Sequence, residues 1–149
     1  MNRRTFLKDT CVACIGIASG AALLSSCKTM KQSSGTLTEN GLTVPLKDFI
    51  SSKTPELRYH AYLVVRNDAL QYPVCVYRLN EKEYTALYMR CSHQGAELQV
   101  AGDRLTCPAH GSEFDRTGMA QQGPASDALR RFPVTVGAEE LFIDLRKQS

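Results

Sequence analysis

Apolar residues come in short runs along this chain, with turn-forming polar residues between them. Leu42-Thr43-Val44-Pro45-Leu46 alternates loosely. His60-Ala61-Tyr62-Leu63-Val64-Val65-Arg66 is a stronger run rich in aromatic and β-branched residues, as strands prefer. Val74-Cys75-Val76-Tyr77-Arg78 and Tyr84-Thr85-Ala86-Leu87-Tyr88-Met89 follow, split by the turn-like Asn80-Glu81-Lys82. Near the end, Phe132-Pro133-Val134-Thr135-Val136 and Leu141-Phe142-Ile143-Asp144-Leu145 flank a Gly137-Ala138-Glu139-Glu140 turn. Closely spaced short strands with polar turns predict an all-β fold, an antiparallel sandwich or barrel. Pro55-Glu56-Leu57 and Ser126-Asp127-Ala128-Leu129 allow single helical turns at most. No internal repeat is visible.

The start of the chain has a different pattern. MNRRTFLKDT leads into an uncharged run whose apolar part is Cys11 to Leu24. That part is short and weak for a membrane span, which needs about 20 apolar residues. It fits a signal peptide better. Arg3-Arg4-Thr5-Phe6-Leu7-Lys8 resembles the twin-arginine export signal. Leu24-Ser25-Ser26-Cys27 resembles the lipobox of bacterial lipoproteins, in which cleavage leaves the cysteine as a lipid-bearing N-terminus. Residues 1–27 are therefore expected to be a leader, with Cys27 the lipidation site that ties the chain to a membrane in the bacterial periplasm or cell envelope. Residues 28–41, polar, Ser/Thr-rich and aperiodic, are expected to be a flexible linker. Residues 42–149 remain for one domain.

Charge alters little. The formal net charge of +3 is carried mostly by Arg3, Arg4 and Lys8 of the leader. No basic stripe with interleaved aromatics appears, so nucleic-acid binding has no support.

The chemistry is concentrated between Cys91 and Asp115, in CSHQGAELQVAGDRLTCPAHGSEFD. Two of the three histidines and two of the six cysteines fall here, as Cys91-x-His93 and, with thirteen residues between, Cys107-x-x-His110. Gly95 follows the first pair; Pro108 lies within the second and Gly111 follows it. Ligands so close in sequence converge only where the backbone bends, which turns of this kind provide. A set of two thiolates and two imidazoles suits zinc or an iron–sulfur centre. A structural zinc site of Cys2His2 type usually takes both cysteines from one clasp and both histidines from the other. Mixed clasps have another logic: one iron of a binuclear cluster takes both cysteines and the other takes both histidines. Replacing two thiolates by imidazoles also raises the reduction potential. Buried cysteines and satisfied histidines without a metal are the remaining possibility.

Cys91-Ser92-His93-Gln94-Gly95 and Cys107-Pro108-Ala109-His110-Gly111-Ser112-Glu113-Phe114-Asp115 resemble the two cluster boxes of the Rieske iron–sulfur family. Gly123-Pro124-Ala125 is similar to that family's third, proline-containing loop over the cluster. The likeness runs from about Leu42 to Leu145. It implies a Rieske-type antiparallel β-sandwich that holds one [2Fe–2S] cluster at the tips of two loops. Cys91 and Cys107 would ligate one iron, and His93 and His110 the other. Gly111 and Pro124 would belong to the loops around the cluster.

The chain departs from the quinol-oxidising members at Ala96 and Ala109, where those proteins carry a disulfide. Both partners are absent together, a pattern similar to the soluble Rieske ferredoxins. The loops must then be braced by packing and hydrogen bonds. Ser112 matches the family serine whose hydroxyl donates to a cluster sulfide and raises the potential. Phe114 stands where high-potential members have a donating tyrosine. The resemblance therefore implies a potential below that of typical quinol-oxidising members, within the Rieske range of roughly −150 to +300 mV.

Other residues take plain readings. Cys75 is expected to be a small buried apolar group, His60 not a ligand, Asp115 a turn-ordering residue and Arg130-Arg131 a solvated face. No catalytic acid–base pair is evident. The expected function is one-electron transfer, as a carrier or as the electron-transfer subunit of an oxidoreductase. Partners would be redox proteins or a quinol-oxidising complex. The alternatives are the Rieske subunit of a quinol:cytochrome c reductase-type complex, the small subunit of a metalloid oxidase, a ferredoxin serving an aromatic-ring dioxygenase, and a structural zinc module.

Overall fold

A computed structural model describes residues 31–52 and 55–146 of the chain. The Arg3-Arg4 pair, the apolar run from Cys11 to Leu24 and the lipobox ending at Cys27 lie outside the described residues.

The central layer is a five-stranded sheet. Its core is three antiparallel strands, β6 (Tyr62–Val65), β7 (Val74–Arg78) and β8 (Tyr84–Tyr88). The edges are β1 (Gln32–Ser33) and β13 (Arg131–Phe132). β6 to β8 read as nearly continuous apolar runs because both faces are covered. Side chains alternate between two buried cores. Leu63, Val65, Val74, Val76 and Ala86 point to one, while Val64, Cys75, Tyr77 and Leu87 point to the other.

The first core is closed by a four-stranded sheet of β2 (Thr36–Leu37), β3 (Gly41–Pro45), β14 (Val134–Val136) and β15 (Glu140–Asp144). Leu42, Val44, Leu141 and Ile143 fill it from that side and are fully buried. β3 and β15 approach so closely that a Cβ on Gly41 would sit 2.2 Å from the Ile143 carbonyl oxygen. A small pair, β4 (Ile50–Ser52) and β5 (Arg58–Tyr59), stands apart.

The second core is closed by a four-stranded antiparallel sheet of β9 (Gln99–Ala101), β10 (Arg104–Thr106), β11 (Glu113–Phe114) and β12 (Ala120–Gln122). Leu98, Leu105 and Phe114 pack against Leu87 and Met89 here, together with Cys91 and Cys107. The all-β, antiparallel expectation holds. The architecture is a central sheet with a covering layer on each face, and β1 with β6 adds one parallel pair.

Two expectations need correction. Residues 31–40 were expected to belong to a linker, yet they contribute β1 and β2. Sheet edges recruit them through backbone hydrogen bonds, for which apolar side chains are not required: Val64 N–H donates to Lys31 O at 3.2 Å and Arg66 N–H to Ser33 O at 3.0 Å. Ser33 is buried and donates to Asp48 Oδ2 at 2.7 Å. Gly35 turns the segment at φ 57° against Val65, where a Cβ would approach to 2.9 Å. The helical turns allowed at residues 55–57 and 126–129 are also absent. The single 3-10 turn among the described residues is Leu46–Phe49, led by Pro45 at φ −62°. Pro45 has the φ such a turn needs and lacks the N–H that a longer strand would use.

Candidate functional site

Both Cys–His segments are hairpin tips. The first rises from Met89, whose carbonyl accepts from Leu98 N–H at 2.9 Å, and from the bridge between Arg90 and Glu97. The second connects β10 to β11, with Leu105 opposite Phe114 and Thr106 opposite Glu113.

The two tips share one frame. Cys91 N–H donates to Ala96 O at 2.8 Å, and Cys107 N–H donates to Ser112 O at 2.8 Å. Gly95 N–H donates to Cys91 O at 2.9 Å, and Gly111 N–H donates to Cys107 O at 2.9 Å. Gly95 and Gly111 take φ 76° and 79°, a left-handed conformation costly for other residues. The glycine four residues after each cysteine is thus the turn that folds each clasp back on itself.

Matched frames sort the four side chains into two pairs. Cys91 and Cys107 are 1% and 3% exposed and lie in the same buried cluster. They form no disulfide and lie within hydrogen-bonding reach of each other. His93 and His110 are exposed, and their rings meet edge to face with centroids 5.2 Å apart. Burial pushes the Cys107 thiol up. The backbone N–H groups of Ala109 and His110 and the Cys91 thiol outweigh this and hold it below the ordinary value. N–H groups aimed at a sulfur favour thiolate, the form that binds metal. An inner pair of soft anionic donors and an outer pair of neutral nitrogens fit a binuclear iron–sulfur centre. Among the described residues, no three His, Cys, Asp or Glu side chains gather as ligands of one ion.

A third loop, residues 122–128, is tied to both tips. Ser92 Oγ donates to Asp127 O at 2.7 Å, and Gln122 Nε2 donates to Gly111 O at 3.4 Å. Ala125 N–H donates to Ser112 Oγ at 3.0 Å in a fully buried setting. Accepting this bond leaves the Ser112 proton free to be donated elsewhere. Tyr72 O–H donates to Gly95 O at 2.7 Å and props the first tip from behind. Pro124 is exposed on the third loop, and its peptide bond to Gly123 is cis. These bonds brace the loops where Ala96 and Ala109 leave no bridge. Ser92, Tyr72 and Gln122 were not foreseen: a hydrogen bond to a distant carbonyl has no spacing signature.

The remaining candidates lie elsewhere. Phe114 is fully buried in the core that holds Cys91 and Cys107. Cys75 is buried in the central sheet, and burial pushes its thiol up. Asp115 orders the turn after β11, accepting from Thr117 N–H at 2.8 Å, Thr117 Oγ1 at 2.6 Å, Met119 N–H at 3.1 Å and Gln121 Nε2 at 2.9 Å. His60 lies beyond β5, outside both tips. Arg130 lays its guanidinium over the Phe132 ring at 4.7 Å and donates to Leu145 O at 2.9 Å.

A model of the Rieske [2Fe–2S] domain matches residues 52–133, more than half of the chain. Among characterised proteins, the 3-phenylpropionate/cinnamic acid dioxygenase ferredoxin subunit of Escherichia coli K12 is 37% identical over 68 residues, 42% of this chain and 64% of that protein. Methylxanthine N1-demethylase NdmA of Pseudomonas putida is 41% identical over 64 residues, 36% of this chain and 18% of that protein. The chain thus spans less than two thirds of either relative. The solved structure of the plasma membrane Rieske protein PetC3 from Synechocystis PCC 6803 aligns with a TM-score of 0.49 at 25% identity, covering 56% of this chain and 86% of that one.

Fold and family match together define a small β domain for electron transfer. The chain belongs to the Rieske [2Fe–2S] domain family, whose domain carries a [2Fe–2S] cluster.

Proposed function

We propose that Cys91 and Cys107 hold the inner iron of one [2Fe–2S] cluster and that His93 and His110 hold the outer one. The observation that carries this assignment is the shared frame of the two tips, which brings sulfur to sulfur and imidazole to imidazole. It also favours a binuclear centre over a tetrahedral zinc site, which would gather all four ligands on one ion. When bound, the cluster accepts and returns one electron. The chain's own residues bury the thiolates, aim N–H groups at a sulfur and keep the imidazoles at the surface. A third loop, latched to both tips, shields the space between them.

The chain works as a carrier or as the electron-transfer subunit of an oxidoreductase outside the cytoplasm. Arg3-Arg4 directs twin-arginine export of the folded, cluster-loaded protein, and lipid on Cys27 tethers it to a membrane of the cell envelope. The likeness to a dioxygenase ferredoxin subunit and the alanines at 96 and 109, where a bridge would need cysteines, support a second reading, a ferredoxin for an oxygenase. The export signal weighs against it.

Anaerobically purified protein should contain iron and sulfide in equal amounts and give the Rieske electron paramagnetic resonance signal on reduction. A colourless protein that binds only zinc refutes the cluster assignment. Mass spectrometry of the mature N-terminus should find an acylated Cys27, and an unmodified Met1 refutes the tether.

A further inference from the structure

The two ends of the central sheet differ. β6 runs from Tyr62 to Val65, and β8 runs the same way from Tyr84 to Tyr88 and on to Cys91. The row of Val65, Val74 and Tyr88 therefore lies toward the two tips, where Arg66 is ion-paired with Glu97 behind the first of them. The row of Tyr62, Tyr77 and Thr85 lies at the opposite end, the base. Cys91 is seven residues beyond Tyr84, so the tips stand roughly 20 Å above the base at about 3.3 Å per residue.

The chain reaches the sheet from the base. β1 is parallel to β6, so it is entered from the Tyr62 end. Lys31, whose carbonyl accepts from Val64 N–H, is the fourth residue after Cys27. Four residues span at most about 14 Å. The β4–β5 pair lies at the same end: Ser33 of β1 donates to Asp48 just ahead of β4, and β5 leads into the start of β6. Among the described residues, five large apolar side chains are exposed. Two of them, Leu57 at 53% and Tyr59 at 42%, stand two residues apart here. Arg78, whose N–H donates to Ala61 O one step beyond the Tyr62 row, lays its guanidinium over the Tyr59 ring at 4.1 Å. Tyr59 also walls a groove with Leu46 and Ile50, whose charged members are Lys47, Glu139 and Glu140.

We propose that the base is a membrane-contact face: Leu57 and Tyr59 rest in the headgroup layer of the bilayer that holds the lipid of Cys27, a reading that takes Cys27 to be acylated as proposed above, and the tips point away from it. The tether is shorter than the domain is tall, so the end at which the chain enters is the end that meets the surface. Tyrosine settles at a membrane–water boundary because its ring is apolar and its hydroxyl is wet. Two side chains bury too little area to hold a protein on lipid alone. A short tether raises the local concentration of the surface to about the millimolar range, at which a weak contact forms. Charged residues of both signs border the patch, so it fits zwitterionic lipid and does not require an anionic headgroup. A quinol dissolved in that bilayer would lie roughly 20 Å below the tips.

The chain contains no tryptophan, so one placed by substitution reports alone. Lipid-bearing, cluster-loaded protein is reconstituted into phosphatidylcholine vesicles, either plain or brominated on the acyl chain near the headgroup, where bromine quenches tryptophan on contact. Tyr59→Trp keeps a ring for Arg78 to cover. It should lose most of its emission in brominated vesicles. Leu57→Trp repeats the reading should Tyr59→Trp fail to fold, and the Rieske signal of each variant shows which are intact. Ala69→Trp, exposed in the β6–β7 connection near the tips, should emit equally in both kinds of vesicle. Adding Leu57→Glu to Tyr59→Trp should restore the lost emission while the protein stays on the vesicles. Equal emission from position 59 in both vesicles overturns the proposal. So does quenching at position 69 as strong as at 59, or quenching that survives Leu57→Glu. Failure of the lipid reading looks different: the mass spectrum shows no acyl group on Cys27 and the protein leaves the vesicles, which overturns the tethered face as well.

Discussion

Ser92 and Asp127 are 35 residues apart in sequence, yet the Ser92 hydroxyl donates to the Asp127 carbonyl at 2.7 Å. The bond closes the third loop onto the first tip. Ser92→Ala removes the donor and leaves a partly solvated carbonyl behind. The expected cost is about 0.5–1 kcal/mol in urea unfolding, with faster bleaching of the cluster under chelator. Bleaching at the wild-type rate would mean that the latch does not protect the site.

Ser112 has one task in the structure and a second that the cluster assignment would give it, and one substitution reads both. Its oxygen accepts from Ala125 N–H in a setting with no access to water. Ser112→Ala orphans that buried donor, at an expected cost of about 1–3 kcal/mol. It also removes the hydroxyl proton that would stabilise the reduced cluster, so the reduction potential should fall. Voltammetry paired with urea unfolding reads both. An unchanged potential alongside lost stability leaves Ser112 as a loop anchor alone.

Phe114 is fully buried in the core that contains both cysteines and offers no hydrogen bond. Phe114→Tyr adds one donor at that position. The potential should rise, because a hydrogen bond to a ligating sulfur favours the more negative reduced state. If the hydroxyl finds no acceptor, unfolding instead shows a loss of about 1–3 kcal/mol and the potential stays where it was.

Asp115 sets the acid limit of the turn after β11. Burial raises its carboxyl, but the hydroxyl and N–H of Thr117 and the N–H groups of Met119 and Gly118 outweigh burial and hold it below the ordinary aspartate range. A folded value below the unfolded one means that the unfolded chain binds the extra proton. The contribution is therefore fully present above the ordinary value of about 3.9 and disappears as pH falls through the lower, folded value. Asp115→Asn should cost about 1 kcal/mol at neutral pH, kept small by solvent exposure, and its gap from wild type should close on acidification. A gap that stays constant with pH would place the effect in packing and not in the charge.

Much of this could be read from the residues alone. β6, β7 and β8 are apolar on both faces because each contributes to two cores, and such runs stand out in a sequence. The four candidate ligands stand out because chemistry limits which residues can take the role. β9 to β12 were hidden: they are two or three residues long, and each buries at most a Leu105 or a Phe114. β1 and β2 were hidden for another reason. Their composition is that of a loop, and backbone pairing with β6 and β3 decides their conformation. The sequence resemblance placed the third loop beside the cluster boxes, but its ties to Ser92 and Gln122 emerged only in three dimensions.

The segment from Gln32 to Leu37 is stitched to two different sheets, β1 to the central layer and β2 to one of its covers. A protein trimmed to begin at Leu42 would therefore lose more than a tail: the parallel edge of the central layer and the outer edge of its cover would go, and the Val64 and Arg66 N–H groups would lose their acceptors on Lys31 and Ser33.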